Sequence, residues 1–275
     1  MIEKMKMVCV VSSVSRKDEM LDGLRSLGLL HLAEKKSPDR AVAERFTTLS
    51  KTASALTDYA SDKKKKKDPA PVLSDSEFEE MYQNVLTTFD KKSSLEQEIS
   101  AANAELERIR SWGNFSPEEV KRIKEDGYDL HFYRLGKNEY QMALQDPEIK
   151  MIALTPVDKM HTVAVLGTLP LTIPAAEFTL PEKGIDDLTA EIKNCRAEID
   201  ACEEILKKSS IYDASFQVQM LKAQNAENYS SASETAENDE DFVWISGYLP
   251  EADLPKFKVA ATEHKWAWAM DDVSE

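Results

Sequence analysis

FVWISGYLPEADLPKF (242–257) joins an aromatic, β-branched run to a Gly-Tyr-Leu-Pro corner and an acidic pair that opens a helix. Its pattern predicts a strand over 242–249 and a helix over 251–265, with a further strand in WAWAM (266–270). The stretch before it, AENYSSASETAENDED (226–241), has almost nothing to bury. A two-stranded piece bearing tryptophans is marginal in water by itself. This segment needs a partner.

The start of the chain has the same need. KMVCVVSS (6–13) is a Val-rich strand, DEMLDGLRSLG (18–28) a helix stopped by Gly28, and LLHLAEK (29–35) a returning strand. Ser37-Pro38-Asp39 then reads as a cap with proline in the first helical turn. The economical arrangement is that both ends of the chain share one sheet, as a split ferredoxin-like lobe. The residues between them form an excursion.

Composition supports long helices in that excursion. The chain has 275 residues but only 8 glycines, while 31% of its residues are charged; average glycine usage is about 7%. Val42, Phe46, Leu49, Ala53, Leu56 and Ala60 repeat at alternating spacings of 4 and 3, a heptad seam. KKKKKDPAP (63–71) interrupts it. Ser74 and Glu77 then suggest a capping box, followed by Phe78, Tyr82, Val85 and Phe89. After a polar patch, Leu95, Ile99, Ala102, Leu106 and Ile109 resume in a shifted phase. The seam is cleanest at Ile185, Leu188, Ile192, Cys195, Ile199, Cys202 and Leu206, and Phe216, Met220 and Ala223 fall back on its register.

Between the outgoing and returning helices lies a second α/β lobe. SPEEVKRIKEDG (116–127) and NEYQMALQ (138–145) read as helices, and YDLHFYRL (128–135), IKMIALTPV (149–157) and TVAVLGTL (162–169) as strands. The expected fold is therefore α+β: two small ferredoxin-like lobes joined by a long antiparallel, coiled-coil-like arm, with a dumbbell outline. Residues 1–37 with 240–275 form the terminal lobe, 38–112 the outgoing helices, 113–181 the central lobe and 182–239 the return helix. The first helix either continues into the second or folds back as a local three-helix bundle, and the sequence leaves both open.

Charge and motifs exclude several functions. A net charge of −15 repels nucleic acid. The residues from Glu182 to Asp241 alone carry fifteen acidic and six basic side chains. The longest apolar region, 162–176, is broken by Pro170 and Pro174 and makes no membrane helix. The opening apolar run MVCVV is too short for a secretory signal. There is no phosphate-cradling glycine loop, no HExxH and no CxxC. The four histidines (31, 131, 161, 264) are scattered, so no metal, cofactor or catalytic site is expected. Cys195 and Cys202, about 10.5 Å apart on one helix, are too distant for a bridge and read as small core residues.

The opening KMKMVCVVSSVSRKDEMLDGLRSLGLLHL, with Leu27, Gly28 and His31, and the late VWISGYLPEADLPKF, with Gly247, Tyr248 and Pro250, resemble the cytoplasmic N-terminal region of subunit I of the rotary V-type/A-type ATPases, related to eukaryotic subunit a. That motif match covers about the first 35 and last 35 residues; the middle agrees in architecture. Family members usually carry Trp where this chain has Tyr248. The resemblance implies a non-catalytic stator arm at the cytoplasmic face of a membrane. Its partners would be peripheral stalk subunits and the central-stalk cap subunit, and its only membrane contact a C-terminal domain absent from these residues. Two other readings stay open: a regulatory small-ligand module built on ferredoxin-like lobes, and a generic cytosolic coiled-coil tether.

Overall fold

The computed structural model describes residues 4–60, 70–154, 159–167 and 175–272. The lysine run, the ends of the strands expected to reach 157 and 169, and Pro170 and Pro174 lie outside them. The molecule is a mixed helix-and-sheet protein with long helices and small antiparallel sheets. In chain order its elements begin with β1 (Met5–Ser13), α1 (Lys17–Leu27), β2 (His31–Leu32), α2 (Arg40–Thr57) and α3 (Asp75–Ile109). The middle holds α4 (Pro117–Glu125), β3 (Leu130–Leu135), α5 (Lys137–Gln145), β4 (Lys150–Ala153) and β5 (His161–Leu166). Then come α6 (Ile185–Ser209), α7 (Asp213–Thr235), β6 (Glu237–Asn238), β7 (Phe242–Pro250), α8 (Leu254–Glu263) and β8 (Ala267–Asp272). Two compact units result: Met1–Glu80 with Ser209–Glu275, and Met81–Lys208. Their limits fall inside helices.

In the first unit the sheet has the order β2-β7-β1-β8, with β6 also on β7, and every pair is antiparallel. The first long strand is therefore central, flanked on both sides by strands from the end of the chain. Alternation decides which face is covered. Val8, Val10, Val243, Ile245 and Leu249 are buried, and they pack with Met20, Leu21 and Leu24 of α1 and with Phe257 and Ala261 of α8. Burying each such large side chain stabilises by about 1.5–3 kcal/mol. On the opposite face Met7 pairs with Tyr248 and Val11 with Trp244, and these side chains stay half-exposed or exposed.

Two local expectations change. The strand expected over 29–35 shrinks to His31–Leu32, because the chain then leaves the ladder for α7. The Lys36 amide donates to Thr235 Oγ1 at 2.9 Å, and Ser231 Oγ donates to the Lys36 carbonyl. Hydroxyls thus satisfy backbone groups that a longer strand would have paired. Pro38 is not in the first helical turn either. Asp39 caps α2, its carboxylate accepting from the Ala41 and Val42 amides, which places Pro38 before the cap.

α2 runs antiparallel to α7. Its N-terminal end meets the C-terminal end of α7, where the Asp39 amide donates to Ser230 Oγ, and its body packs back along α7 toward the 3₁₀ turn Ser210–Tyr212. The start of α3 joins them. Ser74 and Glu77 form the capping box, Phe78 meets Phe216 edge-on at 5.0 Å, and Arg45 pairs with Glu79. Three helices meet locally here, the second of the two arrangements left open above.

In the second unit β3-β5-β4 form an antiparallel sheet, three strands among the described residues. Tyr133, Leu135, Val163 and Val165 pack with Ala143 of α5. Phe132, on the other face, meets Trp112 edge-on at 5.2 Å. α4 starts at Ser116, whose hydroxyl accepts from the Glu119 amide at 3.2 Å.

Candidate functional site

The corner residues of the terminal sheet are brought into register. His31 stands opposite Tyr248, and Leu32 opposite Gly247. Gly28 ends α1 in the left-handed region at φ 65°, its amide bonded to the Leu24 carbonyl at 3.1 Å, and this turn aims the chain at β2. Leu27 packs against the core. Pro250 closes β7 opposite Met5, and the next amide, Glu251, bonds the Lys4 carbonyl at 2.9 Å. His31 lies at the sheet edge and is exposed. The arrangement is a folding corner and holds no reactive constellation.

Along α2, Leu49 and Leu56 are buried, while Val42 and Phe46 are half-buried. Thr52, three residues after Leu49 and four before Leu56, is also buried, and its hydroxyl donates to the Thr48 carbonyl. A polar residue whose hydroxyl bonds its own helix can occupy a seam position.

The second unit contains the antiparallel pairing of α3 with α6. Lys91 pairs with Glu198 at 2.7 Å and Lys92 with Glu203 at 2.7 Å. Leu95 clusters with Cys195 and Cys202, supported by Ile99 and Ile199. Further along, Ala102, Ile109 and Trp112 cluster with Leu188 and Ile192, and Ile185 lies against them. Leu206 is fully buried. The polar patch of α3 does not break the helix. Thr88 is buried, and Lys92 stands seven residues after Val85 and seven before Ile99, its side chain only 16% exposed. Its methylene stem fills a seam position while the ammonium reaches carboxylates. Thr88 and Lys92 were missed because hydropathy hides them; the heptad spacing alone could have pointed to Lys92.

Cys9, Cys195 and Cys202 are free thiols. Burial, and then Glu98 at 3.7 Å, push the Cys195 thiol up from its ordinary value. Among the described residues no group of three or more His, Cys, Asp or Glu side chains could hold a metal ion. No described helix is long and apolar enough to cross a membrane.

Known proteins now bear on these features. No protein-family model matches the chain. V-type ATP synthase subunit I 1 of Treponema pallidum (strain Nichols) is 25% identical over 293 residues, spanning 99% of this chain and 47% of that protein. V-type ATP synthase subunit I of Borreliella burgdorferi is 22% identical over 288 residues, spanning 100% of this chain and 45% of that protein. Over its whole length the chain is similar to V-type ATP synthase subunit I. The similarity to subunit I thus runs through the middle as well as the two ends that carry the motifs. The chain spans about half the length of the curated relatives it matches. A solved structure described as the cytoplasmic N-terminal domain of subunit I, homolog of subunit a, of V-ATPase covers 97% of this chain and 100% of that one. Its identity is 12% and its TM-score 0.35, too low to carry an argument about the fold.

Proposed function

We infer that the chain is a non-catalytic stator arm of a rotary V-type ATPase. The observation that carries this is the similarity to subunit I along the whole of this chain; the antiparallel helix pair of the second unit supports it, because paired helices resist bending. In this reading α/β lobes dock peripheral stalk subunits, and the central-stalk cap subunit lies within reach. The arm resists rotor torque at the cytoplasmic face of the membrane, so that ATP hydrolysis or synthesis stays coupled to proton or sodium transport. The strand order β2-β7-β1-β8, with helices after β1 and β7, supports a ferredoxin-like terminal lobe. The dumbbell outline, and the roles of 1–37 with 240–275, 38–112, 113–181 and 182–239 as lobes and arm, belong to the same proposal.

The test is co-precipitation of the purified chain with peripheral stalk subunits, with an ATPase assay alongside. Stoichiometric capture and no hydrolysis are expected. Failure of every stalk subunit to bind would overturn the reading.

A further inference from the structure

A second kind of site lies in the first unit, where α1, the approach to β2 and α7 leave a cleft of about 240 Å³. Its walls are Leu21 and Leu24 of α1, Leu30 and Leu32 of the β2 approach, Ala232 of α7 and Ile245 of β7. Polar groups stand at the cleft as well: Arg25, Asn225 and Asn228. Tyr229 lines it too, but its hydroxyl is already committed, donating to Asp18 Oδ1 at 2.9 Å. An apolar recess with a few convergent polar groups is the usual form of a small-molecule site.

We propose that this cleft binds a short-to-medium-chain carboxylate, with the acyl chain among the leucines and the carboxylate on Arg25 and the Asn225 and Asn228 amides. Four observations select that class. The walls offer no polar partner, which suits a hydrocarbon chain. The guanidinium and the two amides offer five and two N–H donors each, and a guanidinium matches a carboxylate in a two-pronged geometry. Asp18 and Asp22 also act on Tyr229, so the local field is mixed. A singly charged carboxylate therefore suits it better than a phosphate dianion. The volume lies below the ~300–1,000 Å³ of drug-sized sites, which favours a single slender chain over a ring system.

Such a ligand would tie α1 to α7 inside this unit and stabilise it in proportion to its occupancy. This is independent of the stator reading, since the cleft binds or fails to bind with no stalk subunit present.

The experiment uses the full chain and titrates sodium octanoate, below its micelle concentration, against thermal unfolding and isothermal calorimetry. Octanol and octylammonium serve as neutral and cationic controls. Octanoate should bind saturably and raise Tm more than either control. Arg25→Ala should weaken binding about tenfold, the effect of one charged contact. Ala232→Leu, which fills the cleft from α7, should abolish it; Leu30→Phe does the same from the opposite wall if that variant unfolds. Absence of saturable binding overturns the proposal. Equal binding of octanol with no effect of Arg25→Ala overturns the carboxylate assignment, and so does a preference for octylammonium.

Discussion

Gly247 and His31 touch backbone to backbone: a Cβ on Gly247 would stand 2.6 Å from the His31 carbonyl oxygen and 2.8 Å from Leu30 Cγ. The glycine is what lets β2 lie against β7 at the sheet edge. Gly247→Ala is expected to destabilise by about 1–3 kcal/mol through overpacking. Gly113→Ala, at φ 70° but with nothing within 4 Å, should cost about 1 kcal/mol, from backbone strain alone. Urea midpoints of the two variants check the order, and a Gly247 variant as stable as the parent would refute the close approach.

Lys92 tests how much of an ion pair is packing. Glu203 is 46% exposed, so the charge pair itself contributes under about 1 kcal/mol. Lys92→Met keeps the stem and should change stability by less than about 1 kcal/mol, whereas Lys92→Ala should cost about 1–2 kcal/mol through lost burial. Equal losses in both variants, relieved by salt, would mean that the charge dominates.

Tyr229 sets an alkaline limit. Burial first, then the bond to Asp18, push its hydroxyl from the ordinary 10 up to about 12. The folded state thus favours the protonated phenol. Its stabilising contribution is complete below pH 10 and is lost as pH rises toward 12. Absorbance titration should show one tyrosine ionising late, and Tyr229→Phe should flatten this part of the stability curve. Asp18→Asn should bring the late titration part of the way back.

The cysteines should differ in reach. Cys9 is half-buried, while Cys195 and Cys202 are about 5% and 4% exposed. A thiol reagent should label Cys9 first, with the other two following only on unfolding. Cys202→Asp should unfold the helix pair, and Cys195→Val should be tolerated. Rapid labelling of all three in the native state would contradict the seam.

Much of the architecture was legible because periodicity carries it. The valines of KMVCVVSS (6–13) and the aromatic, β-branched run FVWISGYL (242–249) marked both strands, and the 3-4 spacing from Leu188 to Leu206 marked the face of α6 that is buried. Polar residues standing in for apolar ones were not legible. Thr52 and Thr88 satisfy their hydroxyls within their own helices, and Lys92 hides its stem, so hydropathy misread all three. The extent of β2 was lost for another reason: the groups that end it, Ser231 and Thr235, lie about two hundred residues away. The cleft beside Arg25 could not be read at all, since concavity arises only when α1, β2 and α7 meet.

Met7 pairs with Tyr248 on one side and Asp271 on the other, so β1 finds both of these neighbours more than two hundred residues further along the chain. While the ribosome works through everything between, β1 has neither of these long strands to pair with. The helix pair and inner sheet of Met81–Lys208 can form during that wait, so the sheet that β1 joins closes after them.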